Sequence, residues 1–151
     1  MTRSPVDLKI VGDRLRNVRI CVGQLEQLPA EDLATFSGDF RNPASAESLL
    51  RRAIESLLDT ARHLLSKAYG LGALEYREVA RLAVEKNLVR DAGLQGKFVE
   101  IAGFRNRLTH YYDEVTPKEL LEILQNELAD LDAVARELSE AASRLATNQS
   151  S

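Results

Sequence analysis

Apolar residues recur at steps of three and four along most of the chain, and this spacing predicts amphipathic helices. The first run has Ser4 as a plausible N-cap and Pro5 at the first helical position, and it ends near Leu28. Its apolar stripe consists of Leu8, Val11, Leu15, Val18, Val22 and Leu25. No segment gives a competing strand signal, so the pattern predicts an all-α protein.

A second long helix is predicted from about Ser45 to Ala68, after a short helix through Leu33 and Phe36. Its apolar positions form a wide face, which indicates burial against more than one neighbour. They are Leu49, Leu50, Ala53, Ile54, Leu57, Leu58, Ala61, Leu64 and Leu65. Gly70 follows as a suitable C-terminal stop, because glycine adopts the left-handed conformation that commonly ends a helix.

Three further helices complete the pattern. One is predicted from about Tyr76 to Leu88, and another from about Leu94 to Asp113. The last begins at Thr116, where Pro117 at the first position and Glu119 three residues after the cap make a capping box, and it runs to about Leu145. We therefore expect an antiparallel bundle of four or five helices, with one domain over residues 1–145 and a frayed polar tail over residues 146–151.

Composition narrows the functional classes. The chain has 151 residues, 44% of them hydrophobic, and its net charge of −3 argues against coating nucleic acid through a broad basic field. A local basic cleft is still compatible with that charge. Cys21 is the single cysteine, so it cannot form an internal disulfide, and we expect it to be buried and inert. Without a signal-peptide core or an apolar run of about 18 residues, the predicted location is the cytoplasm.

The segment FRNRLTHYYDEV, residues 104–115, has an unusual mixture of side chains on the fourth predicted helix. One stripe of that helix carries Phe98, Ile101, Arg105, Leu108 and Tyr112, and the adjoining stripe carries Asn106, His110 and Asp113. An arginine in an apolar stripe must find an anion. Two alternatives follow: an internal salt bridge to Glu55 or Asp59, or a cleft where Arg105 binds phosphate and His110 transfers protons.

The spacing Arg105-x4-His110-x-Tyr112 resembles the signature of the HEPN superfamily, and in particular that of the HepT-like toxins. Asn106 directly after the arginine fits the same family segment, and the upstream IESLLDTARHLL resembles the family's second long helix. The likeness is strongest over about residues 45–130.

The resemblance implies an all-helical dimer in which two motif helices face each other across a composite cleft. It also implies a metal-independent ribonuclease toxin with RNA as substrate. We expect no cofactor, and the lack of a long apolar run predicts no membrane association. Arg105 and His110 would be catalytic, and Asn106 would support the site. The partner would be a small nucleotidyltransferase, the MNT antitoxin, which transfers AMP to the motif tyrosine, Tyr112 here.

RNA cleavage without a metal fits this set of residues. The 2′-hydroxyl attacks the phosphate, so the reaction needs a base, an acid for the leaving 5′-oxygen, and positive charge on the transition state. A symmetric dimer would offer two copies each of His110 and Arg105, and the products would be a 2′,3′-cyclic phosphate and a 5′-hydroxyl. AMP on Tyr112 would fill the cleft and occupy the arginines.

Other readings stay open at this point. The chain could be a non-catalytic subunit that binds a nucleotide or presents a substrate to a nucleotidyltransferase. His63, which follows Asp59 by four residues, can pair with it on one helix face, and we expect it to have a structural or surface role. A separate polar stripe, expected by default to be a solvated face, comprises Glu55, Asp59, Arg62 and Ser66. Glu55 or Asp59 could instead orient a motif side chain. Tyr111 is predicted to be a packing residue, and Arg107 a solvated charge or a contact to a substrate strand.

Overall fold

The computed structural model describes residues 5–72 and 74–150 and contains seven α-helices over these ranges, with no strand. The helices are α1 (Leu8–Glu26), α2 (Leu33–Ser37), α3 (Arg41–Tyr69), α4 (Tyr76–Glu85), α5 (Ala92–His110), α6 (Pro117–Asn126) and α7 (Leu128–Ser150). A short 3-10 turn, Tyr112–Glu114, follows α5. The predicted all-α class is confirmed, and four long helices carry most of the chain: α1, α3, α5 and α7.

Helix α3 lies at the centre of the fold. It packs against α1, α4, α5 and α7, which confirms that its wide apolar face is buried on more than one neighbour. Leu57, Leu58 and Leu64 are fully buried there. Cys21 on α1 is also fully buried, as expected, and burial raises the pKa of its thiol. Helix α3 thereby packs against both α4 and α5, and α5 carries Arg105, Asn106 and His110.

Local signals set several helix ends. The side chain of Asp7 accepts hydrogen bonds from the backbone N–H groups of Lys9 and Ile10, so Asp7 is the N-cap of α1; the predicted cap, Ser4, lies outside the described residues. Thr116 accepts from the N–H of Glu119 at 3.2 Å, which confirms the predicted start of α6. Gly70 ends α3 in the left-handed conformation, with φ 69°, also as predicted.

Several boundaries differ from the prediction. Helix α1 begins at Leu8, after the predicted first position Pro5, α3 begins at Arg41, before the predicted Ser45, and α4 ends at Glu85, before the predicted Leu88. The last predicted helix is broken at Glu127 (φ −123°), which separates α6 from α7. Helix α5 ends at His110, three residues early. The expected polar tail is helical through Ser150, and Gln149 ties it to the bundle by donating to the carbonyl oxygen of Lys67 at 3.1 Å. The predicted domain end at residue 145 therefore falls within α7.

Among the helices of residues 5–72 and 74–150, none is both long enough and apolar enough to cross a lipid bilayer.

Candidate functional site

The motif residues meet at a cavity of about 380 Å³ formed by α3, α4, α5 and the segment before α4. Arg105, Asn106 and His110 of α5 all line it, which brings together the three residues that sequence reasoning selected as catalytic. We call it the motif cavity. Its remaining lining residues are Arg62, Leu74, Glu75, Tyr76, Arg77 and Ala102. The fourth motif residue, Tyr112, does not line it.

Arg105 is held in place from two sides. Its Nε and Nη2 atoms donate to Glu55 Oε1 at 3.2 and 3.1 Å, and its guanidinium carbon lies 4.6 Å from the centroid of the Tyr76 ring. The Arg105 side chain is 22% exposed, so this charge is neither free in water nor sealed in the core. The expected internal salt bridge is therefore present, with Glu55 as the partner, and the arginine still lines a cavity.

Tyr76 connects Arg105 to a second ion pair. Its hydroxyl donates to Asp59 Oδ1 at 2.6 Å, and the same oxygen accepts from Arg62 Nη2 at 2.7 Å. The Arg62 guanidinium carbon lies 4.8 Å from the Tyr76 ring centroid, a cation–π distance. Burial, reinforced by the hydrogen bond to Asp59, raises the pKa of Tyr76 to about 12. The phenol therefore stays protonated near neutral pH and keeps donating to Asp59.

His110 is the last residue of α5 and is exposed, and Asn106 lies one helical turn before it and is partly buried. Because both line the same cavity as Arg105, a ligand bound there meets a guanidinium, an amide and an imidazole from one helix face. A guanidinium can bind a phosphate, and an imidazole can exchange protons with it. This set of side chains is of the kind that anion binding and acid–base chemistry require.

Tyr112 does not lie on the same helix as Arg105, contrary to the sequence prediction, because α5 ends before it. Tyr111 has φ −134°, which breaks the helix, and Tyr112 starts the 3-10 turn. Arg105 and Tyr112 therefore do not share one helical stripe, because the chain changes direction between them. The predicted packing role of Tyr111 is also wrong, since Tyr111 is 54% exposed and Tyr112 is 61% exposed. Both phenols are accessible to another molecule.

A family model of the HepT-like ribonucleases matches residues 18–138, a range that includes α3, α4, α5 and Tyr112. The chain belongs to the HepT-like ribonuclease family. The family prediction drawn from Arg105, His110 and Tyr112 is thus confirmed.

Solved structures similar to this HepT-like chain come from toxin–antitoxin complexes. One is a tri-AMPylated Shewanella oneidensis HEPN toxin in complex with MNT antitoxin, at 21% identity and a TM-score of 0.76, covering 87% of this chain and 97% of that one. Another is a toxin–antitoxin with AMP-PNP, at 21% identity and a TM-score of 0.75, covering 85% and 97%. At this level of identity the likeness establishes a shared HEPN fold. No curated protein sequence matches the chain.

A larger groove of about 640 Å³ lies on the other side of α5, towards α6 and α7. It shares Asn106 and Arg77 with the motif cavity, and Tyr111 also lines it. Arg107 also lines it and forms a bidentate salt bridge with Glu119 of α6, another lining residue. Arg107 is therefore an ion-pair partner that ties α5 to α6 and is not a free solvated charge; the alternative, a contact to a substrate strand, stays a prediction.

The acidic and basic residues of α3 form more hydrogen bonds and ion pairs than the sequence pattern of this HepT-like chain predicts. His63 does not pair with Asp59; its Nε2 accepts from the backbone N–H of Asp7 at 3.0 Å. Its structural role is as expected, but the partner differs because the Asp59 carboxylate is taken by Arg62 and Tyr76. Glu55 and Asp59 therefore belong to a network beside the motif cavity. The default expectation of a solvated face is wrong for both, whereas the alternative, that one of them orients a motif side chain, is confirmed for Glu55 and Arg105.

Sequence reasoning missed Tyr76 and Arg77 as site residues. Both begin α4, and Tyr76 contacts residues 17 and 29 positions away, Asp59 and Arg105. Helical periodicity relates only neighbours on one helix, so it held no signal for this contact. Within the described ranges, no group of three or more His, Cys, Asp or Glu residues is placed to hold a metal ion.

A double-mutant cycle tests the salt bridge under the cavity. We expect Glu55→Ala and Arg105→Ala to show a coupling free energy of about 1–2 kcal/mol in urea unfolding, because both side chains are about three-quarters buried. Arg51 pairs with the same Glu55 oxygen at 3.3 Å but is 43% exposed. The matched Arg51–Glu55 cycle should give only about 0.3–0.5 kcal/mol. Equal coupling free energies in the two cycles would contradict the expectation that the more buried Arg105–Glu55 pair is the stronger one.

Proposed function

We propose that this HepT-like chain is a metal-independent endoribonuclease toxin that acts on RNA in the cytoplasm. In this proposal Arg105 and His110 are catalytic and Asn106 supports them. An MNT-type nucleotidyltransferase would be its antitoxin and would inactivate it by transferring AMP to Tyr112. The observation that carries the proposal is the motif cavity, where Arg105, Asn106 and His110 lie together beside Arg62 and Arg77.

The charge of the motif cavity suits a phosphodiester. Among the described residues, three arginines and one carboxylate, Glu75, line the cavity. Arg105 and Arg62 are paired with carboxylates of α3, whereas Arg77 is exposed and has no ion pair in the described part of the chain. The Glu55 and Tyr76 contacts fix the orientation of the Arg105 guanidinium before a ligand arrives. A preoriented cation stabilises the developing charge of a phosphorane-like transition state without reorganising at the moment of reaction.

The acid–base requirement supports a dimer. Attack by the 2′-hydroxyl needs one group to remove its proton and another to protonate the leaving 5′-oxygen. One chain contributes a single histidine, His110, to the motif cavity. A second chain packed along α5 would supply the second. Val99 on α5 is 47% exposed and Tyr111, directly after α5, is 54% exposed, so this helix and its end offer apolar surface to such a copy.

The position of Tyr112 supports regulation by AMP. Its side chain is 61% exposed, so the nucleotidyltransferase can reach the phenolic oxygen. That oxygen would attack the α-phosphorus of ATP, form the O–P bond of the AMP ester, lose its proton and release pyrophosphate. Tyr112 follows His110 by two residues, so the bulky anionic group would lie close to the catalytic histidine and compete with RNA for the arginines.

A second function is favoured by one observation. Because Arg105 is already engaged by Glu55 and Tyr76, it could serve mainly to shape a nucleotide-binding pocket. The chain would then be a non-catalytic subunit that binds a nucleotide or presents a substrate to a nucleotidyltransferase.

Expression of the chain without its partner separates the two functions. The ribonuclease proposal predicts growth arrest, and it predicts that purified protein cleaves cellular RNA equally well with and without EDTA. Nucleotide binding measured by calorimetry, together with no RNA cleavage under either condition, would support the binding subunit. Cleavage that disappears with EDTA would contradict the metal-independent mechanism.

A further inference from the structure

A second cavity of about 290 Å³ adjoins the motif cavity on the side of α1 and the C-terminal part of α3. Three of its lining residues are cationic: Arg14, Arg62 and Lys67. We call it the Arg14–Lys67 cavity. Arg62 lines both cavities, so they form neighbouring parts of one surface.

Positive charge exceeds negative charge in the Arg14–Lys67 cavity. Arg14 Nη1 donates to the backbone carbonyl of Asp59 at 3.1 Å, which orients the guanidinium without neutralising it. The Asp59 side chain also lines the cavity, but its Oδ1 already accepts from Arg62 and Tyr76. In residues 5–72 and 74–150, neither Arg14 nor Lys67 forms an ion pair with a carboxylate. Two cations therefore remain for an external anion.

His63 also lines this cavity, and the same positive charges affect the pKa of its imidazole. Burial lowers the pKa of His63, and the positive charges of Arg14 and Lys67 lower it further. Its Nε2 accepts a hydrogen bond from the N–H of Asp7, so the imidazole is neutral in this arrangement. The charge that a bound anion meets here comes from the arginines and the lysine.

The link to the motif cavity runs through Tyr76. The guanidinium carbons of Arg62 and Arg105 lie 4.8 and 4.6 Å from the centroid of the same ring. Arg62 thus joins the two cavities; it is paired with Asp59, and the unpaired positive charge beyond it comes from Arg14 and Lys67. A positively charged groove that follows the backbone is the usual means of holding a single strand of nucleic acid.

We propose that the Arg14–Lys67 cavity is a second phosphate subsite, which binds a phosphodiester of the RNA strand whose scissile phosphate lies in the motif cavity. This inference rests on the proposed ribonuclease function. The subsite contributes affinity for a strand of several nucleotides and takes no part in the cleavage step. A substrate with a single phosphodiester would place it in the motif cavity and would therefore not contact the subsite.

A charge-neutralised double variant tests the subsite. Arg14→Gln with Lys67→Gln is compared with Lys9→Gln with Arg16→Gln, a control on exposed α1 positions with the same loss of charge. Binding of a labelled single-stranded oligoribonucleotide is measured by fluorescence anisotropy over a salt series, with His110→Gln present throughout to prevent cleavage. We expect roughly tenfold weaker binding for the test variant only, and a salt slope lower by about 0.7 for each lost phosphate contact.

The second measurement of this test is the rate of dinucleotide cleavage. With His110 intact, the test variant should cleave a dinucleotide at the wild-type rate and a longer oligonucleotide more slowly at low concentration. Lys67→Gln alone, which removes no side-chain hydrogen bond found in the described residues, should show part of the same loss and guards against misfolding of the double variant.

Wild-type oligonucleotide affinity and salt slope in the double variant would overturn the subsite, as would an equal loss with the control pair. An equal loss of dinucleotide cleavage would overturn it too. Failure of the wild-type chain to cleave any RNA would instead contradict the proposed function, and the binding arm would still decide the subsite.

Discussion

His110→Ala should lower the rate of RNA cleavage by about a hundredfold to ten-thousandfold, the usual contribution of a positioned general acid or base. In a dimer the substitution removes the imidazole from both chains, so neither the 2′-hydroxyl nor the leaving oxygen has its proton carrier. His110→Gln should be as inactive as His110→Ala, because an amide preserves hydrogen bonding but does not exchange protons at neutral pH. Single-turnover cleavage of a labelled oligonucleotide measures both.

Arg105→Ala should lower the same rate by about a hundredfold to a thousandfold, because it removes the preoriented cation from the transition state. Arg81→Ala is the matched control, since Arg81 is an exposed residue of α4 outside the motif cavity. Circular dichroism shows whether each variant folds. Wild-type rates in folded His110→Gln and Arg105→Ala proteins would remove the catalytic assignment of both residues.

Tyr112→Phe should abolish the gain of AMP that the wild-type chain shows after co-expression with an MNT-type nucleotidyltransferase. Phenylalanine keeps the ring and removes the oxygen that attacks the α-phosphorus, so the effect should be all or none. Intact-mass spectrometry detects the addition of one or more AMP units. The modified wild-type protein should also have lost its ribonuclease activity, whereas co-expressed Tyr112→Phe should keep it.

Tyr111→Phe is the natural control for this substitution. The neighbouring tyrosines have similar exposure, 54% and 61%, so access to solvent does not distinguish them. The assignment to Tyr112 rests on its spacing from Arg105 and His110. If Tyr111→Phe abolishes the mass increase and Tyr112→Phe keeps it, the regulatory residue has been assigned to the wrong tyrosine.

The helices that bury a clear apolar face could be predicted from sequence, together with those ends that have local caps. Thr116 with Pro117 and Gly70 are signals of this kind, because each acts through its own backbone geometry. The break at Glu127 has no glycine or proline to announce it. The end of α5 at His110 is similar, since no glycine or proline follows before Pro117. Tertiary packing can determine such ends, and a single-helix pattern does not contain it.

In the candidate site too, the residues on one helix could be predicted from sequence, whereas the contacts between helices could not. Helical periodicity places Arg105, Asn106 and His110 on adjoining stripes, and the family resemblance gives them their roles. Glu55 is one of the two acidic partners that the sequence offers Arg105. The choice between Glu55 and Asp59 depends on Tyr76, whose hydroxyl occupies Asp59 and whose ring lies against Arg105. Tyr76 comes from α4, beyond the reach of periodicity. The second phosphate subsite depends on α1 and α3 meeting in space, which is equally invisible in the sequence.

The chemistry of the RNA ends tests the central claim most directly. Wild-type protein and the His110→Gln variant are incubated with a defined oligonucleotide in EDTA, and the products are identified by mass spectrometry. The proposed mechanism predicts 2′,3′-cyclic phosphate and 5′-hydroxyl ends with the wild-type protein and almost no product with the variant. Products with 3′-hydroxyl and 5′-phosphate ends, or equal cleavage by the two proteins, would contradict it.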